Sequence, residues 1–363
     1  MKKRFSNCTI HIGTEKTGTK SIQHFLKLNQ KAILREGVCY PTTNAKQNGS
    51  QWEFVTVSHP SPWTMDVGRV CNVTNNEDKA EFTASFTELL NRQFRLASKA
   101  DTLLISSEHF HSRLNTDSMV TNLKVYLDQW VESYKIIVYF RRQDQLALSH
   151  FSTRIKSGYK GRDPMMPPIG YLTPYYQYDL LAERWGKVFG HNNISAGLYS
   201  DILATDGSIL KDFCKRVGVK SENKKIPARK LNSSLNSTGL NFIQSLNFNL
   251  QKYPTKNNRK TQSELIEVVS ELCPGRVFPI GRQKAKDFYE HYKKGNECLR
   301  QSLFSNYPAP IFKENFEDYP EIEDNFDPNH DDAVEIAIKL WSHNRDKGQT
   351  RLFNRLMQYI FNR

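Results

Sequence analysis

The run Ile10-His11-Ile12-Gly13-Thr14-Glu15-Lys16-Thr17-Gly18-Thr19-Lys20-Ser21-Ile22-Gln23 holds the residue types that bind phosphate. A short apolar strand ends at Gly13, a loop of small residues follows, and an amphipathic helix starts near Thr19. The first N–H groups of a helix have no intrahelical partner, and with the helix dipole they cradle an anion. Lys16 puts a positive charge inside the loop, and the hydroxyls of Thr17, Thr19 and Ser21 add donors. Gly13 and Gly18 have the spacing of a nucleotide-triphosphate loop, GxxxxGK[ST]. Thr19 intervenes before Lys20-Ser21, however, and one helical residue turns a side chain by about 100°. A kinase or NTPase using Mg-ATP is therefore the weaker reading of this loop.

Two further strand ends carry chemistry. Lys135-Ile136-Ile137-Val138-Tyr139-Phe140 has the pattern of a buried strand and ends in Arg141-Arg142, not in an aspartate that would hold magnesium. Arg141 then stands at the C-terminal edge of a sheet, where open α/β folds bind ligands, and a guanidinium suits phosphate. Ser149 lies eight residues on, inside a helix through Leu146, Leu148, Phe151 and Ile155. The strand Thr102–Ser107 is followed at once by Glu108-His109-Phe110-His111. A carboxylate there can take a proton from a hydroxyl. Glu108 is the preferred base, His109 the second choice, and His11 the third, since its place within a strand also suits a core histidine.

The run Lys16-Thr17-Gly18-Thr19 resembles the 5′-phosphosulfate loop of the sulfotransferase family, KxGTT, with Lys20 where a threonine is usual. Arg141 and Ser149 resemble that family's 3′-phosphate motif. Ser106-Ser107-Glu108 resembles a segment of bacterial glycan sulfotransferase-like proteins in which the glutamate is the base. Similar elements follow at Tyr178-Asp179 through Arg184-Trp185, at Asp212-Phe213 and at Leu231–Leu235, so the likeness spans about residues 8–310. It implies a cofactor, 3′-phosphoadenosine 5′-phosphosulfate (PAPS, leaving as adenosine 3′,5′-bisphosphate), and no metal. The residues it assigns to the cofactor are Lys16, Thr17, Gly18, Thr19, Lys20, Ser21, Arg141 and Ser149, with Arg229 and Lys230 added by analogy. Lys16 would also neutralise charge on the leaving phosphate. The implied acceptor is a hydroxyl or amine, carried by a carbohydrate.

These side chains need a frame that brings strand ends together. Cys8–Gly13, Val38–Tyr40, Thr102–Ser107, Lys135–Phe140 and Asn193–Tyr199 read as strands. Helical periodicity lies between them, including Lys20–Arg35 and Glu81–Ala97. Alternation of this kind predicts a P-loop-like, three-layer α/β/α fold with a central, mostly parallel sheet. Residues 1–220 form the expected cofactor-binding core. Residues 221–363 form a helical C-terminal extension completing the site, with helices over Ser237–Gln251, Lys260–Leu272, Gln283–Lys293, Asp331–Arg345 and Gln349–Phe361. Asn44–Asn76 and Gly158–Pro174 read as long loops. Trp52, Trp63, Tyr171, Tyr175 and Tyr176 in and beside them are of a kind that stacks on sugar rings or, equally, anchors the loops.

With 51 Lys+Arg against 38 Asp+Glu, the chain of 363 residues carries a formal charge of +13, which favours a polyanionic partner. A non-catalytic nucleic-acid binder is the other class such a charge allows. Against it, the aromatics follow core periodicity and are not interleaved with Lys and Arg. No apolar run reaches the length of about 18 residues that spans a bilayer, and the basic start is followed by polar residues, so a cytoplasmic location is expected. Six scattered cysteines without a CxxC pair point to free thiols.

Overall fold

The computed structural model describes residues 3–43, 49–159, 166–168, 175–222, 224–226, 235–249, 258–275, 280–321 and 330–346. Five strands, β1 (Phe5–His11), β2 (Val38–Cys39), β3 (Thr102–Ser106), β4 (Val131–Phe140) and β5 (Ile194–Leu198), form one all-parallel sheet in the order β2-β3-β1-β4-β5. β4 carries a continuous buried run, Ile136 through Phe140, and β1 beside it buries Phe5, Cys8 and Ile10 between polar residues. The β4 run is the composition demanded where helices cover both faces. The register pairs Ile10 with Ile105 on one side and with Ile136 on the other.

In chain order the helices are α1 (Thr19–Leu28), α2 (Gln30–Arg35), α3 (Trp52–Ser58), α4 (Asp66–Cys71), α5 (Asn76–Leu96), α6 (His109–Arg113), α7 (Asp117–Leu127), α8 (Gln143–Lys156), α9 (Tyr178–Phe189), α10 (Tyr199–Thr205) and α11 (Ile209–Val217). They are followed by α12 (Ser237–Asn249), α13 (Asn258–Leu272), α14 (Arg282–Leu303) and α15 (His330–Asp346). The single helix expected over Lys20–Arg35 is two. They meet at Asn29, whose backbone leaves the helical region (φ −110°, ψ 12°); its amide donates to the Phe25 carbonyl at 2.8 Å, and its Oδ1 accepts the Lys225 N–H at 2.9 Å. The long loop expected over Asn44–Asn76 contains α3, a 3₁₀ turn at Pro62–Thr64 and α4. Trp52 in it is buried, so it is no exposed sugar platform, while Trp63 is half-buried. Much of Gly158–Pro174, together with Tyr171, Arg229, Lys230 and the helix expected over Gln349–Phe361, lies outside the described residues.

The chain forms two compact units. The first comprises Met1–Arg142, Leu172–Leu231 and Tyr292–Lys313; the second comprises Gln143–Tyr171, Asn232–His291 and Glu314–Arg363. Each unit is assembled from three stretches of the chain. In the first, Ile22, Phe25 and Leu26 of α1 pack with Leu104, Ile137, Tyr139 and Phe213 on one face of the sheet. In the second, Phe151 and Ile155 of α8 join Leu240 and Ile243, Leu265 and Val269, and Ile336 and Leu340 from α12, α13 and α15. Among the described residues no helix is long and apolar enough to cross a membrane.

Parallel strands put all their C-terminal ends on one edge. From β1 the chain moves outward to β2, returns through β3, and then passes to β4 and β5 on the far side of β1. The order therefore switches between β1 and β4, and the crevice outside those strand ends is where such sheets bind ligands. Lys16 follows β1, Glu108 follows β3 and Arg141 follows β4.

Candidate anion-binding and proton-transfer site

The loop after β1 is held from below. Thr14 donates from its N–H (3.1 Å) and its hydroxyl (2.9 Å) to the carbonyl of Tyr139 in β4. The hydroxyls of Thr17 and Thr19 both donate to the Thr14 carbonyl, at 2.6 and 3.2 Å. These two hydroxyls therefore tighten the loop, and the Ser21 and Ile22 N–H groups turn back onto the Gly18 carbonyl at 2.9 and 3.1 Å. Gly18 caps α1 at φ +86°, and a Cβ there would lie 2.9 Å from Cγ2 of Ile209, so only glycine suits both the turn and the packing. Lys16 itself has φ +64°, a left-handed conformation costing roughly 1–2 kcal/mol for a residue with a side chain. Strain of this kind gathers at functional sites. Lys20 is exposed on α1, and Ser21 is half-buried in the first turn.

Arg141 reaches this loop across 125 residues of chain: its Nη1 donates to the Lys16 carbonyl at 3.3 Å. Tyr199 lies under its guanidinium, 5.7 Å from ring centroid to Cζ, and the Tyr178 hydroxyl donates to its carbonyl at 2.6 Å. Arg142 has a different part. It is buried and donates to the Lys313 carbonyl at 2.6 Å, a contact that holds structure. Ser149 lies in α8 and belongs to the second unit.

Glu108 stands one residue beyond Ser107, whose N–H donates to the His11 carbonyl at 3.1 Å and extends the β1–β3 pairing. The carboxylate is thereby brought beside the β1 loop: a Cβ at Gly13, where φ is +100°, would lie 3.4 Å from Cα of Glu108. Glu108 Oε2 accepts from Gln23 Nε2 at 2.7 Å and from Ser50 Oγ at 3.1 Å. His109 is buried, with its ring 3.6 Å from that of Trp52 between centroids and its Nε2 4.0 Å from Glu108 Oε1. Burial lowers its pKa despite the carboxylate beside it, so the ring is held neutral.

His11 is a core residue. It is fully buried, its Nδ1 is 2.8 Å from Ser106 Oγ, and Tyr139 and Phe213 meet its ring edge-on. Burial pushes its pKa from 6.5 down to about 3. Below the unfolded value the unfolded chain takes up a proton that the folded protein excludes. The stability held by the neutral ring is thus complete above about pH 6.5 and is lost progressively as pH falls towards 3. His111, lowered to about 4 by burial, acts with the same sign. We expect a lower urea midpoint at pH 5 than at pH 7, and a smaller difference in His11→Asn. An unchanged difference in that variant would remove His11 as a source.

Several polar residues here carry no motif. Arg113 binds Asp66 through Nε (3.2 Å) and Nη2 (2.7 Å) and reaches Glu15 Oε1 through Nη1 (3.3 Å), while the Tyr175 hydroxyl donates to Glu15 Oε2 at 2.8 Å. Glu15 is the neighbour of Lys16, so this cation offsets a negative charge inside the β1 loop. Gln23 had a sequence signal: it is an amide set among Ile22, Phe25 and Leu26 on the apolar face of α1. Ser50, Asp66 and Arg113 had none.

Together these features define a three-layer α/β/α protein with a lysine-bearing loop, an arginine and a carboxylate on one edge of a parallel sheet. Solved structures similar to it include three sulfotransferases. One from Alicyclobacillus acidocaldarius is 13% identical with a TM-score of 0.40, over 72% of this chain and 95% of that one. A domain from the curacin biosynthetic pathway is 10% identical with a TM-score of 0.33, over 61% and 77%. A domain from the Synechococcus PCC 7002 olefin synthase is 12% identical with a TM-score of 0.32, over 80% and 96%. No family model matches the chain. An uncharacterized protein from Archaeoglobus fulgidus is 23% identical over 203 residues, and the match spans about half of that relative, 54% of its length.

Proposed function

We propose that this protein is a sulfotransferase that uses PAPS as donor and a carbohydrate hydroxyl or amine as acceptor. The observation that carries the reading is the hydrogen bond from Arg141 to the Lys16 carbonyl, which joins two cationic motifs 125 residues apart on one sheet edge. The donor set suits a nucleotide with phosphate groups at two positions: a lysine and helix-start N–H groups in one loop, and a guanidinium beside it. Thr17, Gly18, Thr19, Lys20 and Ser21 would surround the 5′ end. Arg141 would take the 3′-phosphate, with Ser149, Arg229 and Lys230 retained in the proposal on the resemblance alone.

When bound, the nucleotide supplies an activated sulfuryl group and a phosphate leaving group. Lys16 places positive charge where negative charge grows on departure, and the loop N–H groups act in the same sense. Glu108 accepts the proton of the attacking hydroxyl. Helices over both faces of the sheet hold these groups in fixed relation, so positioning and electrostatics do the work.

Calorimetric titration with adenosine 3′,5′-bisphosphate, ADP and ATP, with and without magnesium, tests this reading. Micromolar, metal-independent binding of the bisphosphate alone supports it; magnesium-dependent ATP binding supports a kinase or NTPase in its place. Arg141→Ala is expected to weaken bisphosphate binding by about 2–4 kcal/mol, a rise in Kd of roughly 30- to 1000-fold. An unchanged Kd in a folded variant would remove Arg141 from the site.

A further inference from the structure

Glu108 is not a symmetric carboxylate. Oε2 receives two hydrogen bonds, from Gln23 and Ser50, whereas the nearest polar contact of Oε1 is His109 Nε2 at 4.0 Å, beyond hydrogen-bond reach. Both donors are built in. Gln23 is fully buried on α1, and its Nε2 also donates to the Ser106 carbonyl at 3.4 Å. Its amide cannot be reversed without turning Oε1 onto the carboxylate, so its orientation is set. Ser50 is buried, and its Oγ is 3.1 Å from Ser107 Oγ. With a carboxylate as final acceptor, the Ser50 proton goes to Glu108 and Ser107 can donate to Ser50, a chain in which each bond strengthens the next. The segment carrying Ser50 is pinned in turn by Gln51, whose Oε1 accepts the Ser106 N–H at 2.8 Å and whose Nε2 donates to the Pro41 carbonyl at 2.8 Å.

We propose that Gln23 and Ser50 are positioning residues that hold Glu108 by Oε2 and leave Oε1 as the proton-accepting oxygen. This rests on Glu108 being the base. The terminal torsion of a glutamate is otherwise broad, so without the two donors the accepting lone pair has no fixed direction. The other titratable groups about Glu108 are His109 on its own helix, Tyr40 after β2 and Glu53 on α3, with Glu15, Asp66 and Arg113 beyond, around His109.

The test uses the full chain and two variants that keep shape, Ser50→Ala and Gln23→Met, with Ser50→Thr to restore the hydroxyl. Infrared difference spectra of isotopically labelled protein, with Glu108→Gln for subtraction, read the two carboxylate stretches of this one side chain without any substrate, and hydrogen bonds to one oxygen alone separate them. The separation should shrink in each of the first two variants and return in Ser50→Thr. In turnover kcat at neutral pH should fall by about tenfold, and KM for the nucleotide should stay within about twofold. Unmoved carboxylate bands in folded variants overturn the clamp. Moved bands with an unchanged kcat leave the clamp but overturn Glu108 as base, and the positioning role falls with it.

Discussion

Replacing Lys16 with alanine is expected to lower turnover by at least about 10²–10³-fold, the loss seen when one preorganised donor to a developing negative charge is removed. The expectation rests on position: Lys16 follows β1 at the switch between β1 and β4, and Arg141 holds its carbonyl. The backbone offers a way to separate charge from folding. At φ +64° alanine bears the same left-handed strain as lysine, whereas glycine relieves it. Lys16→Gly should therefore be as inactive as Lys16→Ala yet keep its stability within about 1 kcal/mol of the parent, because relief of strain offsets glycine's extra chain entropy. Lys16→Arg keeps the charge but not the compact ammonium, and should recover part of the rate. Steady-state kinetics and thermal melts on the three variants decide the matter. Full activity in Lys16→Gly would remove the side chain from the chemistry.

Glu108→Gln should reduce kcat by about 10²–10⁴-fold, the usual contribution of a general base, while the Kd for adenosine 3′,5′-bisphosphate stays within about twofold. The substitution keeps shape and can still accept hydrogen bonds from Gln23 and Ser50, so its effect isolates proton transfer. His109 provides the contrast. Its ring lies on Trp52 and is held neutral by burial, so His109→Phe preserves the stack and removes both nitrogens. Activity retained in His109→Phe and lost in Glu108→Gln assigns the base to Glu108; the reverse pattern assigns it to His109.

The strands were legible because a buried parallel sheet writes itself locally. Thr102–Ser106 and Ile194–Leu198 emerge within a residue of the runs expected from branched and aromatic residues. Helix ends were less so. Asn29, where two helices meet, is hydrogen-bonded to Lys225, 196 residues away, and no window of local sequence contains that partner. The helical character of α3 and α4 was hidden by the prolines and tryptophans around them, which read as loop. Residue type allows Trp52 either to stack on a sugar or to anchor its loop; it is buried against His109, and that contact is tertiary.

The sequence by itself determined the class of fold, the three strand ends that carry Lys16, Glu108 and Arg141, and their common edge, since parallel strands must end on the same side. All of this follows from periodicity and from residue type at an element's end. Only the tertiary structure decided which groups meet there. Glu108 is met by Ser50 and Gln23 from 58 and 85 residues away, Glu15 by Arg113 from 98, and Lys16 by Arg141 from 125. Such meetings depend on strand order, register and helix packing, which are set by long-range contacts summed over the whole unit and leave no local pattern in the chain.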